Sequence, residues 1–376
     1  MHITYFANDL SDAAVARRVE MLRLGGARLA IIGFRRAGEP VSQVAGVDAI
    51  DLGQTYDARF RHRALTVLRQ ALAARRWKEL IRQSDVLLAR NLEMAVIADC
   101  ARIWSGASTR LAYECLDIHG LLLRHGLSAR MLRVCERRLL RRSSAFIVSS
   151  PGFLTHHFNR LGVRLPPVIV AENKRMPPAN EPGRPQLQAT RDRPPWRVGW
   201  FGILRCTRSF GILRDLAQRH PDLIDVELRG RPTGALQSLI DRHLPLPNMR
   251  FRGPYALSDL GSLYGDRDLT WAIELWQGGE NADWLLPNRI YEGGYFNCPP
   301  IALAGTETAK WLAARGAGVI VRNPEIDLET FITTLTPTWY AALKRSVAAI
   351  PTADLMYSAD ECRRITGLLC GGSATE

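Results

Sequence analysis

The chain has 376 residues, 47% of them hydrophobic and 23% charged, which is ordinary for a globular protein with room for two cored domains and excludes a disordered chain. A formal charge of +13 is not ordinary, and because most of the surplus is Arg it favours anionic partners: nucleotide diphosphates, acidic lipid headgroups or nucleic acid. Seven cysteines without any C-x-x-C spacing exclude a zinc site and a disulfide frame, and no apolar run approaches the roughly 20 residues that span a bilayer.

Residues 2–6 read as a strand and M-H-I-T-Y-F-A-N-D-L does not read as a signal peptide, so a cytoplasmic location is expected. Asn8 and Asp9 follow in a polar loop, as ligand contacts or as caps of the helix predicted from about Ala13 to Leu24. Ala27 to Gly33 is the second strand, which completes a strand–helix–strand unit without a G-x-G-x-x-G fingerprint. Residues 59–83 form a long basic amphipathic helix with Leu65, Leu68, Leu72 and Trp77 among Arg61, Arg63, Arg69, Arg75, Arg76, Lys78 and Arg82.

Ser84 to Ala89 is a strand with Arg90 and Asn91 at its carboxyl end, the edge where open α/β sheets gather ligands. Leu111 to Cys115 is the next strand, and Asp117 and His119 in the following loop are acid/base candidates or local caps, with Glu114 as a third. Residues 121–142 make the most basic helix, with seven arginines and Glu136 as its lone acid. Its apolar side of Leu122, Leu123, Leu127, Met131, Leu132, Leu139 and Leu140 suits either its own core or an anionic membrane surface. Residues 177–195 carry Pro177, Pro178, Pro182, Pro185, Pro194 and Pro195 among polar residues and read as a linker.

The second half opens on the strand Trp196 to Phe201. Gly202, Arg205 and Arg208 follow at a helix start, and backbone access with two guanidinium groups suits a pyrophosphate. Arg231 lies at the end of the strand Asp225 to Arg229, and Glu274 sits in a strand where it is hard to leave unpaired. Asn281 to Ala304 reads as a loop, a helix from about Asn288 to Tyr295 behind Pro287, and a buried strand. Arg289, Glu292 and the Gly293-Gly294 pair give that helix a guanidinium for phosphate, a carboxylate for ribose hydroxyls and glycines for close approach.

The run P-N-R-I-Y-E-G-G-Y-F-N-C-P-P-I-A resembles the nucleotide-binding segment of GT-B glycosyltransferases, above all the family-4-like enzymes of bacterial exopolysaccharide synthesis. The chain is also similar to the xanthan glucuronosyltransferase. The resemblance implies an α/β fold of two Rossmann-like doubly wound domains facing a cleft, with the C-terminal helix crossing back to the first. Residues 1–176 plus 355–376 are the acceptor-side domain, 177–195 the linker and 196–354 the nucleotide-sugar domain.

It further implies a metal-independent enzyme with no cofactor. A nucleotide-diphosphate sugar, expected to be a UDP-sugar, is the donor, and the acceptor is polyprenyl-linked or a saccharide. Donor contacts fall to Gly202, Arg205, Arg208, Arg231, Glu280, Asn281, Asn288, Arg289, Tyr291 and Glu292, acceptor contacts to Asn8, Asp9 and Asn91, and catalysis to Asp117 and His119. The retaining pattern has a second Glu eight positions before Glu292; here that residue is Trp284, and Glu280 or Asn281 is its expected substitute. A base at Asp117 implies inversion. The basic helices 59–83 and 121–142 place the enzyme as a peripheral protein at the inner face of the membrane. A sugar-nucleotide epimerase of this fold is the alternative, while the absence of an aromatic-rich RNA motif counts against a nucleic-acid partner.

Overall fold

The computed structural model describes residues 1–36, 38–55, 60–177, 183–187, 191–276, 279 and 281–371, without the side chains of 60–63. The chain divides into two compact units, Met1–Glu172 with Tyr357–Glu376, and Asn173–Met356.

The first unit is built on eight strands: β1 (His2–Ala7), β2 (Arg28–Arg35), β3 (Gln43–Val44), β4 (Val47–Gln54), β5 (Val86–Arg90), β6 (Arg110–Cys115), β7 (Ala145–Val148) and β8 (Val168–Val170). Their order is β3-β4-β2-β1-β5-β6-β7-β8, parallel except for the β3–β4 pair. Helices cover both faces of such a sheet, so β5 is buried at all five positions and reads as the unbroken run V-L-L-A-R. The sheet reverses direction of growth between β1 and β5, and there the loop after β1 and the start of the helix Asn91–Ser105 lie side by side.

The helix expected over 59–83 is divided into Phe60–Leu72, a tight 3₁₀ turn at Ala73–Trp77 and Lys78–Arg82. The turn brings Ala74 and Trp77 into the core, where Trp77 meets Phe6 edge-on at 6.0 Å. The helix expected over 121–142 is likewise divided, into Gly120–Leu123 and Leu127–Arg142. Gly126 between them has φ +127°, which an L side chain rarely adopts. Arg133 Nη1 ties the break together by donating to the carbonyls of Leu122 and Arg124 at 2.8 and 2.9 Å.

The second unit carries β9 (Trp196–Leu204), β10 (Ile224–Pro232), β11 (Met249–Phe251), β12 (Leu269–Trp271), β13 (Pro300–Leu303) and β14 (Val319–Val321), all parallel in the order β11-β10-β9-β12-β13-β14. Its core is filled by Trp196, Trp200, Trp271, Phe210 and their aliphatic neighbours. Within the proline-rich stretch, half-buried Arg184 donates to the carbonyls of Gly294, Val347 and Ala348 and to Asn297 Oδ1. A cation thus closes the C-terminal ends of the helices Asn288–Tyr295 and Pro337–Ala348, where it complements their dipoles. After the second unit the chain returns to the first. The last helix, Ala359–Leu369, packs on Ala13–Leu24 so closely that a Cβ at Gly25 would stand 2.1 Å from Thr366 Oγ1.

Candidate functional site

In the second unit the sheet reverses between β9 and β12, and the carboxyl ends of these strands bring the phosphate candidates together. Gly202, near the end of β9, has φ +112°, and its partner Gly230 on β10 has φ +136°. A Cβ at Gly230 would lie 1.8 Å from the Gly202 carbonyl, so glycine alone lets the two strands run this close at the ligand edge. Arg205 follows β9 and its Nε lies 3.6 Å from Glu274 Oε2, with the guanidinium 4.4 Å above the Trp276 ring. Arg289, buried on the helix Asn288–Tyr295, donates from Nη1 to the Trp271 carbonyl at 2.9 Å and from Nη2 to Glu274 Oε2 at 3.3 Å. Two strand ends and one helix thus converge on a single carboxylate.

Glu292 lies one turn after Arg289 and is buried; Tyr264 donates its hydroxyl to Oε2 at 3.0 Å. Burial and the Glu292 charge together push the Tyr264 phenol well above its ordinary pKa, so it stays a donor. Tyr264 packs against Phe201 at 5.1 Å, and Phe201 meets Tyr255 at 6.3 Å. Tyr264 and Glu274 are the residues that sequence reasoning left out of the site. The signal available was the pairing need of a carboxylate in an apolar strand.

Of the other donor candidates, Arg208 and Tyr291 turn elsewhere. Arg208 turns to Glu325, its Nη2 2.7 Å from Oε1, on the groove between the helices Thr207–Arg219 and Pro324–Thr334. Arg231 is exposed at the end of β10, and Tyr291 is fully buried beside Trp311 at 5.5 Å. Asn288 is part-buried at the start of its helix, Asn281 opens the short helix Asn281–Trp284, and Glu280 lies outside the described residues. The Gly293-Gly294 pair, read as a ligand approach, serves packing instead: added Cβ atoms would meet Thr270 Cγ2 at 2.9 Å and Leu355 Cδ2 at 2.7 Å.

In the first unit Asn8 follows β1 and Asn91 follows β5, and the Oδ1 atom of each is buried without a hydrogen-bond partner. Asn91 also holds φ +67°, a conformation that costs a non-glycine residue roughly 1–3 kcal/mol and is tolerated where something needs it. Asp9 spends one oxygen on structure, accepting from Ser11 N in its own loop at 3.0 Å and from Arg36 N after β2 at 3.1 Å. Asp117 is exposed in the loop after β6. His119 caps the helix Gly120–Leu123, its Nδ1 accepting the Leu121 N–H at 3.2 Å.

Glu114, the third acid/base candidate, is corrected by its surroundings. It is fully buried and receives Arg18 Nε at 2.6 Å, Arg90 Nε at 3.0 Å and the Tyr5 hydroxyl at 2.8 Å. Burial alone would raise its pKa, but the charges of Arg90 and Arg18 and their hydrogen bonds prevail and hold it near 2. It is a structural anion.

Two parallel-sheet units of this connectivity define the GT-B class of glycosyltransferase folds. The chain is similar to HepE of Anabaena, solved with UDP and glucose (16% identity, TM-score 0.69, 99% of each chain covered), and to sucrose-phosphate synthase of Thermosynechococcus elongatus (13%, TM-score 0.73, 100% of each). No protein-family model matches it. Over 372 residues, 97% of this chain and 92% of its relative, it is 38% identical to the succinoglycan biosynthesis protein ExoL of Rhizobium meliloti. The chain belongs to the ExoL family.

Proposed function

We propose that this protein is a glycosyltransferase of exopolysaccharide biosynthesis that moves a sugar from a UDP-sugar to a saccharide or polyprenyl-linked acceptor. The observation that carries the donor reading is the convergence of Arg205 and Arg289 at the β9/β12 reversal, beside the buried carboxylate of Glu292. Arg205 and Arg289 take the diphosphate, and charge-assisted bonds from both stabilise it as it leaves. Glu292 accepts from the ribose hydroxyls, with Tyr264 fixing its other lone pairs. Asp117 takes the acceptor hydroxyl proton; the acceptor oxygen bonds to the anomeric carbon while the bond to the phosphate oxygen breaks, and the configuration inverts.

The test is a thermal-shift panel of UDP, GDP, ADP and CDP on the wild type and Glu292→Ala. UDP alone is expected to raise the melting temperature, and the rise to vanish in the variant. A panel without any shift removes the donor site.

The membrane reading rests on which side chains face outward. Leu65, Leu68 and Leu72 are 47%, 56% and 64% exposed, and Leu127, Met131 and Val134 are 81%, 73% and 53% exposed. Exposed Arg69, Arg75, Arg76, Arg124, Arg130 and Arg138 accompany them on the same segments. Apolar side chains flanked by cations match an anionic headgroup layer, each basic residue contributing about 1 kcal/mol. Among the described residues no helix is long and apolar enough to cross a membrane. The protein is expected to float with vesicles containing phosphatidylglycerol and not with neutral ones, and Leu127→Glu with Met131→Glu to abolish flotation. Equal flotation of wild type and variant removes this surface.

A further inference from the structure

Glu274 is where the two phosphate-binding arginines meet, and its own role follows from how loosely it holds them. Its side chain is 8% exposed and its Oε1 accepts the Trp276 N–H at 3.3 Å. The contacts from Arg289 Nη2 and Arg205 Nε to Oε2 are 3.3 and 3.6 Å, longer than the about 2.7–2.9 Å of a good charge-assisted bond. Arg205 Nε, moreover, is buried without a hydrogen-bond partner. Two guanidinium groups therefore share one carboxylate oxygen, and Arg205 keeps a donor in reserve.

A carboxylate held this way is exchangeable for a stronger oxyanion. A diphosphate carries more charge and more acceptor oxygens, so it draws both arginines away from Glu274. The freed carboxylate, an acceptor at every lone pair, then needs hydrogen-bond donors. The groups next to a bound diphosphate that donate are the hydroxyls of the sugar attached to it.

On the donor-site reading above, we propose that Glu274 is the specificity-determining residue for the donor sugar: counter-ion of Arg205 and Arg289 in the empty site, and acceptor for sugar hydroxyls once the diphosphate has displaced it. Bare UDP displaces Glu274 without giving it new partners, whereas a matching UDP-sugar supplies them. The wild type therefore binds its own UDP-sugar more tightly than UDP.

Calorimetric titration of wild type and Glu274→Gln with UDP, UDP-glucose, UDP-galactose and UDP-glucuronate tests this. The variant, lacking the competing charge, is expected to bind UDP about tenfold more tightly than the wild type. Its preference for any UDP-sugar over UDP should fall to about one. Glu274→Asp, one methylene shorter, withdraws from the arginines and should show the same loss of sugar preference if the Gln variant does not fold. Parallel weakening of UDP and all UDP-sugars would mean that Glu274 merely braces the arginines, and unchanged affinities would mean that it does neither; each overturns the proposal. A wild type that binds none of the four nucleotides overturns the donor site itself, and this role with it.

Discussion

Asp117→Asn is expected to lower the transfer rate by about 10²–10⁴-fold, the usual weight of a positioned general base, while the UDP-induced thermal shift stays at its wild-type size. The choice of Asp117 over His119 comes from a single hydrogen bond. Because His119 Nδ1 accepts the Leu121 N–H, the neutral ring carries its proton on Nε2, so that nitrogen donates and cannot accept a proton. Asp117 is exposed in the loop after β6, where solvent and an acceptor can reach it. His119→Asn, which preserves a capping acceptor, should cost far less than Asp117→Asn. Nucleotide release measured with acceptor present decides the matter: an Asp117→Asn enzyme that turns over at the wild-type rate removes Asp117 from the mechanism.

Glu114→Gln should cost the first unit about 3–5 kcal/mol, the usual penalty for removing one partner from a buried ion network. The amide leaves Arg18 and Arg90 buried without a counter-charge and sets an N–H₂ against donors from both arginines or Tyr5. A pH dependence follows from the same network. Glu114 titrates near 2 in the folded chain against 4.5 for an unperturbed glutamate, so its contribution is fully present above about pH 4.5. As the pH falls through about 2 the carboxylate protonates in the folded state too, and about 3 kcal/mol of stability is gone. The gap between the thermal melts of wild type and Glu114→Gln should therefore narrow from about pH 4.5 down to pH 3 without closing there. A gap between them that does not narrow with acid would show that the charge is not what matters at this position.

Much of this was legible from residues alone where local chemistry and tertiary packing agree. Pro287 before a helix and Asn297 after it mark Asn288–Tyr295 to the residue, and Asn297 does adopt φ +58° at the helix end. The alternation of apolar runs with amphipathic helices gave two doubly wound units, and the last helix does return to the first. Other features were decided by contacts distant in the chain. Arg205 and Arg208 look alike on paper, yet one faces Glu274 and the other Glu325, 51 positions apart in sequence. The basic helix over 59–83 looks continuous because no Gly or Pro interrupts it; its 3₁₀ turn exists to place Trp77 against Phe6. The break at Gly126, by contrast, had a signal in the glycine itself, which the reading of one helix over 121–142 passed over. Glu292 and Tyr264 lie 28 residues apart, and no local pattern links a phenol to that carboxylate.

The return of the last helix to the first unit has a consequence for how the chain is made. The second unit, Asn173–Met356, is one uninterrupted stretch, whereas the first is completed only by Tyr357 onward. At about 5–20 residues per second, roughly 10–40 s of translation separate Glu172 from Tyr357. Throughout that interval the face of Ala13–Leu24 that Thr366 and Cys362 will cover stays open at the ribosome. The usual order of N-terminal domain first is thereby reversed, and the nascent first unit is the part most in need of a chaperone.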